Sequence, residues 1–83
     1  MLYNRKAFGI VIGRLRIRAG CTQEHASAMA GISRSHWAAL EKGSKTVRLD
    51  TLWAIAYALG VRPSELLRLT EEEADHQEED GGL

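Results

Sequence analysis

Apolar residues recur at helical spacing along most of the 83-residue chain. The pattern predicts five helices, at residues 4–19, 23–30, 34–42, 49–59 and 63–70. The apolar face of the first comprises Phe8, Ile12, Leu15 and Ala19. The apolar face of the fourth comprises Leu52, Ile55, Ala56 and Leu59. No stretch alternates with a period of two, so we expect an all-α fold without strands.

Capping residues mark where these helices begin and end. Asn4, Thr22, Ser33 and Asp50 are expected N-caps, because their side-chain oxygens can accept from unpaired backbone N–H groups in a first turn. Glycine follows several of the predicted helices, as expected where a left-handed residue closes a helix. Pro63 suits the first position of the fifth helix, because its missing N–H needs no partner there. Further along this helix, Leu66 and Leu67 are expected to point inward.

The stretch from Gly20 to Gly43 contains two short helices joined by a tight turn. Gly31 is expected to close the first of them and Ser33 to cap the second. A connection of three to four residues containing glycine is typical of a helix-turn-helix. In the helix before it, Gly9 and Gly13 weaken the local helical preference but would permit a close helix crossing.

The net charge of zero hides a strong asymmetry. All 11 basic residues lie at or before Arg68, whereas seven of the 11 acidic residues lie between Glu71 and Asp80. Residues 1–70 therefore carry a net charge of +7, which favours a polyanionic partner or, equally, a solvated charged surface. Residues 71–83 are predicted to form an acidic, flexible tail after a domain boundary at residue 70, which could extend the fifth helix by a turn or two before fraying.

Several classes of function find no support in the sequence. Cys21 is the single cysteine, so an internal disulfide is impossible, and we expect it to fill core space in a cytoplasmic protein. No paired carboxylates, nucleophile–base set, phosphate loop or metal-ligand spacing is present. We therefore expect no enzyme, no cofactor, no metal and no membrane span.

Four blocks of sequence carry a family resemblance. They read L-R-I-R-A-G-C-T-Q-E, A-G-I-S-R-S-H-W-A-A-L-E-K-G, L-D-T-L-W-A-I-A-Y-A-L-G-V and P-S-E-L-L. In this order and spacing they resemble the Cro/C1-type (XRE, lambda-repressor-like) helix-turn-helix family over residues 8–69. The resemblance implies a compact five-helix DNA-binding domain in which helix 3 enters the major groove and helix 2 crosses the DNA backbone.

The resemblance also implies where DNA would be contacted. Gln23, at the start of helix 2, is expected to contact a phosphate and to brace helix 3. Arg34 and Ser35 are the expected base readers, since arginine can bond in a fork to guanine. The wider set of DNA-binding candidates is Gln23, Ser33, Arg34, Ser35, His36, Ala38, Ala39, Lys42, Lys45, Thr46 and Arg48.

Other residues are expected to hold the motif in place. In the family, the residue corresponding to Arg16 pairs with the one corresponding to Glu41, so we expect a structural clamp between helices 1 and 3. Trp37 and Leu40 should face the core. Ala26 stands where a larger aliphatic residue is usual, and we expect the Trp37 ring to fill the space that it leaves.

Two functions remain open from the sequence. The first is a transcriptional regulator that binds a palindromic operator in double-stranded DNA as a homodimer. The second is a protein-interaction module, such as an antitoxin or a controller partner, whose DNA binding is weak or is modulated by the acidic tail. Trp53 and Tyr57 are expected to pack in the core, with Tyr57 as a possible self-association edge.

Overall fold

The computed structural model describes residues 2–81, with side chains described through residue 78. The described part of the chain contains five α-helices and no strand. The helices are α1 (Arg5–Arg18), α2 (Gln23–Ala30), α3 (Arg34–Lys42), α4 (Leu49–Leu59) and α5 (Pro63–Gly81). The predicted all-α, five-helix class is confirmed.

Local capping fixes the ends of the first three helices as the sequence predicts. Asn4, Thr22 and Ser33 each accept a hydrogen bond from the backbone N–H three residues later, at 2.9–3.0 Å. Gly31 and Gly43 close α2 and α3 with φ of 73° and 76°, a conformation that costs glycine little.

The start of α4 differs from the prediction. Arg48 is the N-cap and makes no side-chain capping bond. Asp50 lies inside the first turn, where its Oδ1 accepts from the backbone N–H of Thr51 at 2.8 Å. A carboxylate so placed still interacts favourably with the positive end of the helix dipole. Asp50 therefore stabilises α4 from within the first turn and does not cap it.

One apolar core joins all five helices. Its largest fully buried side chains are Trp37, Phe8, Ile12, Leu40, Ile55 and Leu66. Cys21 packs against this core and is partly buried. Two residues predicted to face inward are exposed instead. Ala19 is the C-cap of α1 and has left the helical stripe, and Leu67 lies about 100° around α5 from the buried Leu66.

Trp53 is also exposed, contrary to the core packing predicted for it. The buried face of α4 comprises Leu52, Ile55, Ala56 and Leu59. Trp53 lies outside this i, i+3, i+4, i+7 stripe, and 55% of its surface is accessible to solvent. Tyr57, one turn further, is 74% exposed. The two rings therefore lie on the outer surface of α4.

The helix α5 continues to Gly81, which is further than the extension of a turn or two allowed for it, so residues 71–81 are helical where a flexible tail was predicted. Three contacts extend it. Glu73 pairs with Arg14 of α1 at 2.6 Å, Gln77 accepts from the Asn4 side chain at 3.2 Å, and Ala74 is buried. Apolar periodicity could not reveal this, because two of the three contacts are polar. Residues 82 and 83 of the predicted tail lie outside the described residues.

The crossing of α1 over α3 depends on Gly9. A Cβ added there would lie 2.5 Å from the backbone oxygen of Leu40 and would also clash with that of Glu41. Because both atoms belong to the backbone, no side-chain rotation could relieve the overlap. The close helix crossing predicted for Gly9 is confirmed.

Replacing Gly9 by alanine should therefore destabilise the domain. We expect the free energy of unfolding to fall by about 2 kcal/mol, within the usual cost of overpacking, even though alanine favours the helix. Gly13→Ala is the matched control, because a Cβ there would meet the Glu41 side chain at an ordinary 3.4 Å. Urea denaturation of both variants tests this. Equal stability of the two variants would contradict the crossing argument.

Candidate nucleic-acid interface

The two helices of the motif meet at a fixed turn. After Gly31, the backbone N–H of Ile32 returns to the carbonyl of Ser27 at 3.0 Å and locks the end of α2. The Ser33 hydroxyl then starts α3 by accepting from the N–H of His36. These bonds leave the first turn of α3 facing outward, with Arg34 and Ser35 both exposed.

Many of the DNA-binding candidates line one shallow surface depression of about 620 Å³. Its lining comprises Gln23, Ser35, Ala38, Ala39, Glu41, Lys42 and Ser44. Residues from the start of α2 and along α3 are thus brought to one surface. The small side chains of Ala38 and Ala39 leave space along α3 for a ligand surface to approach closely.

Gln23 connects α2 to α3. Its Nε2 donates to Glu41 Oε1 at 3.0 Å, so the side chain braces α3 as the resemblance implied. Gln23 is also the first residue of α2, beside backbone N–H groups that lack helical partners. Both features suit the phosphate contact predicted for it, which stays a prediction.

Glu41 is the centre of the polar network behind the depression. Arg16 of α1 donates twice to this carboxylate, from Nε at 2.6 Å and from Nη2 at 3.1 Å. The third donor is the Trp37 indole, whose Nε1 lies 2.5 Å from Glu41 Oε2. With Gln23, the carboxylate thereby ties α1, α2 and α3 together. The clamp between Arg16 and Glu41 is present, and it is larger than the sequence indicated.

The surroundings of Glu41 keep it ionised. Burial alone would raise the pKa of this carboxyl group. Hydrogen bonds from Arg16, Trp37 and Gln23 outweigh that effect and hold the pKa below its ordinary value of 4.5. The Arg16 and Glu41 side chains are only 15% and 14% exposed, so solvent screens their attraction poorly. Each of these two largely buried charges therefore has an oppositely charged partner.

The expected base readers have few bonds within the protein. The Ser35 hydroxyl lies 3.3 Å from that of Ser33, and either can donate. Arg34 is exposed and forms no ion pair with any residue that the structure describes. His36 is half-buried. Arg34 and Ser35 are therefore accessible to a ligand.

Four exposed candidates, three of them basic, lie at the last residue of α3 and in the loop after it. Lys42, Lys45, Thr46 and Arg48 are all exposed. Arg48 makes only a long, solvent-exposed contact of 3.5 Å with Asp50. Such a contact contributes little to stability and can be given up to another anion. This segment therefore presents exposed positive charge beside the depression.

Ser44 is a residue of this surface that the sequence analysis missed. Its backbone N–H and its hydroxyl both donate to the carbonyl of Ala39 at 3.1 Å. With Gly43 left-handed, this is the bond pattern that typically closes a helix. A serine directly after a closing glycine was the available signal, and Ser44 shapes the end of α3.

The core behind the motif agrees with the proposed exchange of volume. Ala26 of α2 and Trp37 and Leu40 of α3 are all at most 1% exposed and belong to one cluster. Trp37 contributes the largest side chain of that cluster, on the element that faces α2. A large ring in α3 thus accompanies a small residue in α2.

Comparison with known proteins agrees with this geometry. A family model described as a helix-turn-helix domain matches residues 7–75. The chain belongs to this helix-turn-helix family. This match and the relatives described below confirm the Cro/C1-type helix-turn-helix assignment made from the four sequence blocks.

Individual relatives of this helix-turn-helix protein share most of its length. It is 40% identical over 68 residues to the uncharacterized HTH-type transcriptional regulator y4dJ of Sinorhizobium fredii, covering 82% of this chain and 88% of the relative. It is 31% identical over 67 residues to the control protein C.BamHI of Bacillus amyloliquefaciens, covering 80% and 83%.

A solved structure of a relative shares the fold. The restriction-modification controller protein C.AhdI of Aeromonas hydrophila superposes with a TM-score of 0.75 and 31% identity, over 78% of this chain and 98% of that protein.

Among the described residues, no helix is both long and apolar enough to cross a bilayer.

Proposed function

We propose that this helix-turn-helix protein is a transcriptional regulator that binds a specific site in double-stranded DNA through α3. The observation that carries the proposal is the shared surface of Gln23, Ser35, Ala38, Ala39 and Lys42, beside the exposed Arg34. The names of the relatives, a transcriptional regulator, a control protein and a restriction-modification controller protein, agree with it. The proposed role requires access to DNA, so we expect the protein in the cytoplasm.

The proposed contacts divide into two kinds. Arg34 and Ser35 would read base edges in the major groove, and Ala38 and Ala39 would pack against thymine methyl groups. The remaining candidates would contact the sugar–phosphate backbone; they are Gln23, Ser33, His36, Lys42, Lys45, Thr46 and Arg48. Phosphate contacts orient the protein without reading sequence, so specificity would rest on few side chains and on DNA shape.

Arg34→Ala tests the reading role. We expect it to lower the preference for the specific site over unrelated DNA by about 10- to 100-fold, as expected for the loss of one forked arginine–guanine contact. Fluorescence anisotropy with a specific and a scrambled duplex at fixed salt measures this preference. Arg62→Ala, which removes an exposed charge outside the motif, is the matched control.

Lys45→Ala provides a contrasting result. Because a phosphate contact carries no sequence information, it should weaken binding to both duplexes alike and reduce the salt dependence by about one counterion. If Arg34→Ala behaved in the same way as Lys45→Ala, Arg34 would be a backbone contact and not a base reader.

The second function, an interaction module with weak DNA binding, rests on the acidic half of α5. Glu71, Glu72, Asp75 and Glu78 are exposed there. Truncation after Thr70 is unsuited to testing it, because Glu73 and Ala74 belong to the packed fold. Replacement of the four exposed acidic residues by glutamine should keep α5 helical. It tests whether their negative charge competes with DNA for the basic surface. Unchanged salt dependence of DNA binding would contradict intramolecular competition.

A further inference from the structure

The Trp37 indole and the Gln23 amide donate to the two oxygens of one carboxylate. Glu41 Oε2 accepts from Trp37 Nε1 at 2.5 Å and from Arg16 Nε at 2.6 Å. Glu41 Oε1 accepts from Gln23 Nε2 at 3.0 Å and from Arg16 Nη2 at 3.1 Å. An ionised carboxylate offers about four acceptor positions, so these donors occupy all of them. A change at one oxygen therefore affects the donors at the other.

The Glu41 carboxylate determines which way the Gln23 amide faces. Hydrogen bonds hold the pKa of Glu41 below its ordinary value of 4.5, so the group is ionised at neutral pH and can only accept. Gln23 must therefore turn Nε2, and not its carbonyl oxygen, toward Glu41. Nε2 carries a second N–H, which has no acceptor among the described residues. Because Gln23 lines the depression along α3, this N–H is available to a phosphate oxygen, which requires a donor.

We propose that Trp37 is a positioning residue for the DNA contact of Gln23, acting through Glu41. The proposal rests on the proposed function, since it concerns the phosphate contact at the start of α2. Trp37 is fully buried and cannot touch DNA itself. Its indole holds Glu41 Oε2 in place, which keeps Oε1 directed at Gln23 and leaves the second amide N–H for the phosphate.

Arg16 alone fixes this carboxylate less firmly. Its fork orients the guanidinium and the Glu41 carboxylate relative to each other. Arginine is nonetheless a long side chain with many rotamers, so the two joined groups can still move together. The Trp37 ring has only two side-chain torsions and is fully buried in the core cluster. Its N–H, one turn before Glu41 on α3, therefore provides the fixed point of the network.

The network does not repel the phosphate that it would serve. Arg16 neutralises Glu41, and both side chains are largely withdrawn from solvent. The other two members, Trp37 and Gln23, are uncharged. The groups behind the amide therefore carry no net charge, and the contact to DNA has the strength of one ordinary hydrogen bond.

A double-mutant cycle between positions 23 and 37 tests the proposal. Fluorescence anisotropy measures binding of the full chain to a selected and a scrambled duplex at fixed salt. Gln23→Ala should weaken binding to both duplexes by about two- to tenfold, the usual loss for one hydrogen bond. Trp37→Phe keeps most of the ring but removes the donor, and should weaken both by about two- to fivefold. In the Gln23→Ala background, Trp37→Phe should change neither affinity, since the contact that it positions is already absent.

Ile55→Val is the matched control for a loss of core packing. Ile55 is fully buried in α4 and lies outside the Glu41 network. Like Trp37→Phe, this change removes buried volume, but it removes no donor, so DNA binding should be unchanged. Circular dichroism at the temperature of the binding assay confirms that each variant is folded.

Proton NMR of the indole N–H groups gives a readout that needs no change at Trp37. The chain has two tryptophans, so Trp53→Phe identifies both resonances. The Trp37 resonance should lie downfield of the Trp53 resonance, because its N–H bonds to a carboxylate. Addition of the selected duplex should shift the Trp37 resonance, and Gln23→Ala should abolish most of that shift.

Two outcomes would overturn the proposal alone. One is equal weakening by Trp37→Phe with and without Gln23, and the other is a DNA-induced shift of the Trp37 resonance that Gln23→Ala leaves unchanged. The proposed function fails separately if the wild-type protein binds both duplexes equally, because the cycle on the scrambled duplex still tests Trp37. A folded wild-type protein that binds neither duplex overturns both.

Discussion

Replacing Trp37 by alanine is expected to lower the free energy of unfolding by about 3–5 kcal/mol, the usual loss for a fully buried aromatic side chain. Two effects combine. The ring is fully buried, so its removal leaves a cavity in the cluster that joins the helices. The indole N–H bond to Glu41 also disappears. Urea denaturation followed by circular dichroism measures the change.

Comparison variants separate the two effects. Trp37→Phe keeps much of the ring volume but removes the N–H donor, so it should fall between the wild type and Trp37→Ala. Trp53→Phe makes the same change at the exposed tryptophan and should alter stability by less than about 0.5 kcal/mol. A fall of only a degree or two in the melting temperature of Trp37→Ala would refute the core role of this ring.

The exchange of volume between Ala26 and Trp37 has its own test within the same experiment. Ala26→Leu should be destabilising in the wild-type background, where the ring fills the site. Combined with Trp37→Leu, it should recover part of the loss, because total core volume is restored. Strictly additive effects of the two substitutions would contradict direct compensation.

Glu41→Gln is expected to lower the free energy of unfolding by about 3 kcal/mol. Loss of one partner of a buried ion pair costs about 3–5 kcal/mol, and the glutamine oxygen can still accept one of the bonds. The Arg16 guanidinium would then have no opposite charge beside it, although it keeps its bond to the Cys21 carbonyl at 2.9 Å. Glu72→Gln, at an exposed partner of Arg68, is the matched control and should change stability far less.

The pH dependence gives an independent measure of the same carboxylate. Because the folded-state pKa of Glu41 lies below its ordinary value of 4.5, ionised Glu41 stabilises the fold above that value. This contribution is lost as the pH falls through the lowered pKa. Glu41→Gln should therefore remove part of the acid-side loss of stability. Identical pH profiles for variant and wild type would contradict the network.

Much of the fold follows from local rules that act within a few residues. Thr22, Gly31 and Ser33 fix the turn of the motif through bonds to their own neighbours, so their types and spacing suffice to predict it. The period of the apolar residues likewise identifies the faces that carry Phe8 and Leu66.

Other features depend on contacts between distant segments and were missed for that reason. The helix α5 is extended to Gly81 by Glu73 and Gln77, whose partners lie near the other end of the chain. The core position predicted for Trp53 is wrong for a different, local reason, because its position in α4 lies off the buried stripe. For Trp53, the position around the helix axis predicts exposure correctly, whereas the apolar residue type does not.

For the candidate interface, the sequence and the resemblance indicated the helices that form it but only part of the hydrogen-bond network around Glu41. They supplied the pairing of Arg16 with Glu41. The donation from the Trp37 indole to the same carboxylate was not predicted, because it depends on the rotamers that the two side chains adopt on α3. Ser44 was missed because its part in closing α3 requires the backbone geometry after Gly43.

Selection of binding sites from random duplex DNA with the purified protein tests the central claim most directly. The account predicts enrichment of a palindromic site with half-sites about one helical turn apart. Arg34→Ala should relax the selection at one position in each half-site. The absence of any enriched sequence with the folded wild-type protein would contradict the claim that α3 reads DNA.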